Sequence, residues 1–328
     1  MMSLPKDQLA AVRQGDGEKA TLIVKRIPMP QAPGPGQILV KISWAGICGS
    51  DRFLIYDRWQ MKMQESTKGV PGHEAAGRVA AVHPDMQDIW KIGDRVGIKW
   101  VSSVCGHCEF CRNGTDELQC ASQHNPGFNA PGTFQEYLLT DGHYATRIPV
   151  SVPDDEAAVL MCGGLTAYTA CKRSAVRSGE WIVVLGAGGG LGHLAVQYGK
   201  AMGMQVIGIA KGSEKEKLCE RLGVERFIDR AKTGDLVSEV IKITSYGAHG
   251  VVVAAPRKEA FRVAPLFLRP GGTVVSVALP QGTDAFSGTW PGLNNSRRLN
   301  IAGSVTGTRK VGKLSDQLMW VIILIHGI

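Results

Sequence analysis

The sequence predicts an α/β protein in two parts: a β-rich first half, then a doubly wound parallel sheet. Three observations carry this. Before residue 150, segments alternate apolar and polar residues and are broken by Gly, Pro and Asp, the pattern of half-buried strands joined by turns. Near residue 175 the rhythm changes to short apolar runs alternating with stretches of helical periodicity. Between the first such run and the first such stretch lies a glycine-rich turn, Gly186-Ala187-Gly188-Gly189-Gly190-Leu191-Gly192.

In chain order, Pro28, Pro30, Pro33 and Pro35 mark an early loop. Gln37–Trp44 and Gly77–Val82 follow as strands. Lys91–Val96 reads as a tight turn entering a strand, and 102–133 as a long loop. Trp181–Leu185 is a short buried strand. The helix after the glycine turn carries Leu191, Leu194, Ala195, Tyr198 and Ala201 at helical spacing. Gly203 ends it, because glycine tolerates the left-handed conformation after a helix. Gln205–Ala210 is the next strand, Ser213–Leu222 a charged helix and Arg226–Asp229 a strand. A helix over 235–244, a strand at 251–254, a helix over 257–267 and a strand at 273–277 complete the series. Such alternation of strand and helix calls for a parallel sheet covered on both faces.

Composition bounds the function classes. The 328 residues are 44% hydrophobic and 20% charged, enough for two cores, and show no internal repeat. The net charge of +8 is dispersed without a basic run, so nucleic acid is not an expected partner. The apolar run Leu318–Ile325 falls short of the roughly 20 residues a membrane helix needs. Met1–Val12 has no apolar h-region, so no membrane partner is expected either. The expected location is cytoplasmic, and metal-spaced cysteines agree with a reducing compartment.

Cys105, Cys108, Cys111 and Cys120 follow the pattern C-x2-C-x2-C-x8-C. Thiolates this close on one loop can surround a tetrahedral zinc, and four protein ligands leave no position for substrate. Such a zinc would be structural. A disulfide framework and an iron–sulfur cluster are the alternatives. A zinc-dependent nucleic-acid binder would need a basic helix beside the cluster. Residues 105–120 instead carry Glu109, Asp116 and Glu117 against Arg112.

The glycine-rich turn, set between a buried strand and an amphipathic helix, suits a dinucleotide. It lets the backbone approach a pyrophosphate at a helix N-terminus. An acidic residue at the end of the next strand usually reads the ribose hydroxyls. Here that position is Ala210, followed by Lys211, with Ser213 and Lys215 beyond. Two lysines without that carboxylate lean the reading toward NADP. An NAD site served by Lys215 alone is the alternative.

Three further residues could form an open metal site: Cys48, His73 and Cys162. Alone, each reads as structural, since a buried cysteine behaves as a small hydrophobe. Together they make a Cys2His set, already known from a zinc alcohol dehydrogenase. The motifs are Cys48-Gly49-Ser50-Asp51, Gly72-His73-Glu74-Ala75-Ala76-Gly77, the four-cysteine lobe, Cys162-x3-Thr166 and the 186–192 turn. In this order they resemble the zinc-dependent medium-chain alcohol dehydrogenases, yeast-type branch, from about residue 10 to Lys310.

The resemblance implies a GroES-like catalytic domain at 1–155 and a Rossmann NAD(P)-binding domain at 156–310. It implies two zincs per chain, one held by Cys48, His73 and Cys162 for catalysis and one by the four cysteines. Asp51 would orient His73, and Glu74 would sit beside the metal. Ser50 would hydrogen-bond the substrate oxygen and pass on its proton. Trp59 would line the substrate pocket and Thr166 would lie near the nicotinamide. Zinc would act as a Lewis acid on an alcohol oxygen while hydride leaves for the cofactor. The implied substrate is a small or medium alcohol, or its aldehyde or ketone, and the implied assembly a homodimer or homotetramer. A polyol-type or specialised-metabolite dehydrogenase shares Cys-Gly-Ser-Asp, and a folded but inactive zinc protein is the other alternative.

Three departures from the family stand out. A proton-relaying His of many members is replaced by Phe53. The acidic ribose reader is Ala210. After Lys310 the motifs stop, so 311–328 reads as an atypical apolar tail and the C-terminal return segment as truncated.

Overall fold

Alternating side chains set the register of the first sheets. The computed structural model describes residues 4–113, 117–280, 288–309 and 311. In β1 (Asp7–Gln14), Gln8, Ala10 and Val12 are buried between exposed neighbours. β1 pairs antiparallel with β2 (Thr21–Pro28). β3 (Gln37–Ala45), β4 (Ala75–Val82), β5 (Arg95–Ile98), β6 (Tyr137–Asp141) and β7 (Thr146–Arg147) follow. They form an antiparallel sheet in the order β6-β3-β4-β5-β7. Its core includes Ile38, Val40, Val79, Met86 and Trp90. Each fully buried aliphatic side chain there contributes about 1.5–3 kcal/mol. Trp90 satisfies its indole N–H on the Gly142 carbonyl at 2.8 Å. Arg95 donates to the carbonyls of Pro149 and Val152 and to Asp154. This anchors the helix Asp154–Val159, which packs on β3 and β4 and leads the chain to Cys162.

The second half is the expected parallel sheet. β8 (Trp181–Leu185), β9 (Gln205–Ala210), β10 (Arg226–Asp229), β11 (Ala248–Val253), β12 (Leu268–Ser276) and β13 (Asn300–Gly303) are ordered β10-β9-β8-β11-β12-β13. Every pairing is parallel. Burial of β8, β9 and β11 is almost continuous, as a sheet covered on both faces requires. Gly190–Ala201, Ser213–Arg221, Leu236–Thr244 and Lys258–Val263 are the crossover helices. The strand order reverses between β8 and β11, and such folds bind ligands outside the carboxyl ends of the strands at that point.

The chain groups into two compact units. One reaches Cys162 and takes up the chain again at Gly307; the other is Gly163–Thr306. The apolar tail Leu318–Ile325, and with it the expected truncation, lies outside the described residues. No helix among the described residues is long and apolar enough to cross a membrane.

Candidate active site and metal centres

Three short segments of the first unit meet in one cluster. Cys48 caps the helix Gly49–Ile55: its Sγ accepts from the Asp51 N–H, and Asp51 Oδ2 accepts from the Cys48 N–H at 2.9 Å. The other Asp51 oxygen lies 2.8 Å from His73 Nδ1, which aims Nε2 at the cysteines. His73 Nε2 is 3.2 Å from Cys162 Sγ and 3.5 Å from Ser50 Oγ. The turn that brings His73 inward needs a glycine. Gly72 has φ of +94°, and a Cβ there would lie 2.5 Å from the Phe134 ring and from Thr133 Oγ1. Cys162 sits on one π-helical turn, Leu160–Gly164, a geometry common at functional sites.

The ligand atoms of Cys48, His73 and Cys162 lie within 4.8 Å of one another. A tetrahedral zinc with bonds of about 2.0–2.3 Å spaces its ligands roughly 3.3–3.8 Å apart, so the three fit one ion with a fourth position open. The electrostatics suit a cation. A hydrogen bond from Cys162 and another from His73 hold the Cys48 thiol down at about 3, against burial. Burial opposes the His73 imidazolium, but Asp51 and Cys48 outweigh it and raise the ring to about 10. The neighbouring Cys48, then burial, pushes Cys162 well above the usual thiol range. Burial pushes Glu74 up to about 8. Trp100 stands edge-on to His73 at 5.2 Å and stacks on Phe128 at 6.2 Å. Phe53 stacks on Trp59 at 6.0 Å.

The four cysteines of the lobe form a second cluster, with all four Sγ atoms within 4.8 Å of one another. Cys108 and Cys111 are 3.4 Å apart and Cys105 and Cys111 3.8 Å. Zinc–sulfur bonds of about 2.3 Å predict roughly 3.8 Å between sulfurs of a tetrahedron. The set therefore fits one ion, and no disulfide occurs among the described residues. The N–H groups of His107 and Cys108 hold Cys105 at about 6, while burial pushes Cys111 up to about 12.

The glycine-rich turn lies in the second unit. The Gly186 N–H donates to the Ile209 carbonyl at 2.8 Å, and Gly189 caps the helix Gly190–Ala201. A Cβ on Gly192 would lie 2.0 Å from the Gly186 carbonyl oxygen, so only glycine lets this helix pack so closely on the turn. A Cβ on Gly190 would meet no described atom within 4 Å, which leaves the helix N-terminus open to an anion. The Lys215 stem lies against the turn, 2.6–2.9 Å from where a Cβ on Gly188 would be. Lys211 is exposed at the end of β9. Asp229 pairs in register with Ala210 from the neighbouring β10. It accepts from the Ala231 N–H at 2.9 Å and the Gly212 N–H at 3.2 Å, and these bonds lower its pKa despite burial. Thr166 is buried in the helix Leu165–Arg173.

Residues 34–150 match the family model of an alcohol dehydrogenase GroES-like domain, and 190–320 that of a zinc-binding dehydrogenase. Alcohol dehydrogenase 1 of Emericella nidulans is 41% identical over 314 residues, covering 95% of this chain and 87% of the relative. The chain belongs to the zinc-dependent alcohol dehydrogenase family. The second match runs past Lys310, where the sequence motifs had stopped. A zinc-binding dehydrogenase from Sinorhizobium meliloti bound to NADP has a TM-score of 0.80 at 28% identity, covering 94% of this chain and 88% of that one. Acetophenone reductase from Geotrichum candidum in complex with NAD has 0.79 at 25%, covering 99% and 89%.

In this alcohol dehydrogenase the structure brings Cys48, Ser50, Asp51, His73, Glu74 and Cys162 together in one unit. It places Thr166, the 186–192 turn, Lys211 and Lys215 in the other. Sequence reasoning missed Trp100, Phe128 and Asp229. The acid next to Ala210 escaped because it comes from the third strand of the sheet in chain order, not the second.

Proposed function

We propose that Cys48, His73 and Cys162 hold a catalytic zinc, and that Cys105, Cys108, Cys111 and Cys120 hold a structural one. The enzyme would interconvert a small or medium alcohol with its aldehyde or ketone. The observation that carries this reading is the Cys48–His73–Cys162 cluster with Ser50 Oγ beside His73 Nε2. When bound, zinc supplies Lewis acidity at an alcohol oxygen and the nicotinamide accepts hydride. Ser50 Oγ would accept the proton of the substrate hydroxyl while releasing its own hydroxyl proton to water. Asp51 keeps the proton of His73 on Nδ1, so that Nε2 presents its lone pair to the metal position. Glu74, with its carboxyl pushed up by burial, adds little negative charge to the thiolates. Trp100 and the Phe53–Trp59 pair offer aromatic surface for the carbon skeleton. With Phe53 in place of the relay His, the proton released by Ser50 would pass to water rather than to a His side chain.

The 186–192 turn holds the pyrophosphate, and Thr166 lies near the nicotinamide. Lys211 and Lys215 bias the site toward NADP. The Lys215 stem against Gly188 supports this, while Asp229 spends its oxygens on backbone N–H groups. We place the catalytic domain at 1–155 and the cofactor domain at 156–310, although the compact units change over only after Cys162 and again at Gly307. Free cysteines at metal spacing support a cytoplasmic location. Edge strand β13, with Ile301 and the following Val305 exposed, supports a homodimer or homotetramer. The Cys48-Gly49-Ser50-Asp51 motif favours polyols as a second substrate class.

Metal analysis combined with turnover of alcohols, aldehydes and polyols under NADPH and NADH tests the reading. The expected result is two zincs per chain and faster turnover with NADPH. One zinc or none, or two zincs without oxidation of any alcohol, overturns it.

A further inference from the structure

Glu117 lies inside the four-cysteine lobe, between Cys111 and Cys120, yet its side chain is only 1% exposed. A carboxylate removed from water persists only where partners replace its hydration. The partners of Glu117 come from two distant parts of the first unit. Its Oε1 accepts from the Tyr144 hydroxyl at 3.0 Å and from the Arg309 backbone N–H. Its Oε2 lies 3.5 Å from the Arg309 guanidinium. That guanidinium also sits over the Tyr144 ring, 5.7 Å from its centre. Buried Lys99 lies 4.6 Å from the same ring centre and donates to the Tyr144 carbonyl and Thr146 Oγ1, each at 2.9 Å. Tyr144 is thus held by two cations and offers its hydroxyl to Glu117.

The same residue touches the metal lobe through its backbone. The Glu117 carbonyl accepts from the Cys120 N–H at 3.1 Å, closing the turn Glu117–Gln119. Cys120 Sγ in turn accepts from the Cys105 N–H at 3.5 Å. Side chain and backbone of one residue therefore join the cysteine cluster to the point where the chain returns to the first unit, at Gly307–Arg309.

We propose that Glu117 couples metal loading of the four-cysteine lobe to docking of the returning chain at Thr308–Arg309. The proposal rests on the four-cysteine metal reading and is independent of the alcohol chemistry. A loaded lobe fixes the Glu117 turn and presents its carboxylate to Arg309. An emptied lobe frees the turn and deprives Arg309 of its acceptor. The linkage is reciprocal: docked Arg309 raises the zinc affinity of the lobe by the factor with which zinc tightens the docking. Arg309 is a positioning residue in this scheme.

Hydrogen exchange on the whole chain, zinc-loaded and chelator-stripped, reads the first half of the linkage. The Arg309 amide is expected to exchange about tenfold faster or more once the lobe is empty. Chelator competition reads the second half, in a Cys48→Ser, Cys162→Ser background where the lobe alone binds zinc. Arg309→Ala and Glu117→Gln are each expected to weaken zinc binding by about 5- to 150-fold, and the double variant no more than the worse single. Arg309→Lys, which keeps the charge but loses the planar fork, falls in between. If Arg309→Ala fails to fold, the exchange measurement on the unaltered residues decides. Unchanged Arg309 exchange on zinc removal overturns the coupling, as does native zinc affinity in folded Arg309→Ala. A lobe that binds no zinc in the serine background removes the metal reading and the coupling with it.

Discussion

His73 is gripped at Nδ1, and that grip decides what Nε2 can do. Asp51 is 1% exposed and spends one oxygen on the ring and the other on the Cys48 N–H. Asp51→Asn can turn its amide N–H toward Nδ1 and move the ring proton to Nε2, away from metal binding. We expect the Cys48–His73–Cys162 site to lose zinc affinity by about 10- to 100-fold while the four-cysteine lobe keeps its ion. Metal counting under chelator competition checks this, and two zincs retained at native affinity refute it. A second residue-scale prediction concerns Ala210. A carboxylate there would face a 2′-phosphate directly, so Ala210→Asp should shift the NADH over NADPH ratio of kcat/KM upward by about tenfold or more. An unchanged ratio would refute the argument from the missing acid at Ala210.

Elements are tied together at points that chemistry can probe. Asp57, at the end of the helix Gly49–Ile55, accepts from the Gly17 N–H at 2.8 Å and pairs with Arg13 of β1. Burial opposes its ionisation, but those two partners outweigh burial and lower its pKa. A lowered folded pKa means stability that is fully present above the unfolded value of about 3.9 and lost as pH falls through the folded one. Asp57→Ala should therefore destabilise the fold at neutral pH by roughly 1.5–3 kcal/mol, the loss of charged hydrogen bonds, read as a lower Tm. The gap from the unaltered protein should close below about pH 4. A gap that stays constant as the pH falls well below about 4 would exclude the pairing as its source. In the glycine turn, Gly192→Ala forces a Cβ against the Gly186 carbonyl, and fluorescence titration should show cofactor affinity falling sharply while zinc content is unchanged. How legible these elements were follows from burial. Trp181–Leu185 and Gln205–Ala210 were read to the residue, because both are apolar runs closed by glycine or charge. The hairpin of β1 and β2 was not read, because β2 is exposed along almost its whole length and only Ile27 turns inward. The helix Gly49–Ile55 was read only as a motif, because its cap is a cysteine side chain rather than a hydroxyl or carboxyl. The residues of the two candidate metal clusters could be picked out because zinc restricts ligand type and number, and the structure brings the ligand atoms of each set within 4.8 Å of one another. Trp100 and Phe128 were not legible, because packing gives them their place, and Asp229 was not, because strand pairing across β9 and β10 gives it its place.

For the whole molecule, ligands should act on one unit at a time. The seven proposed metal ligands belong to the first unit and the glycine turn to the second. Cofactor at about 100 times its Kd should stabilise the second unit by about 2.7 kcal/mol, read as slower exchange of β8 and β9 amides. Chelation should instead loosen the antiparallel sheet of the first unit. Cofactor protection spread equally over both sheets would contradict this division. The chain order behind the division matters further. The segment Gly163–Thr306 interrupts the first unit, opening one residue after Cys162 and ending one residue before Gly307. Those two junctions form a seam for recombination. Exchanging the insert between relatives is expected to transplant the cofactor preference and to leave the seven proposed metal ligands in place.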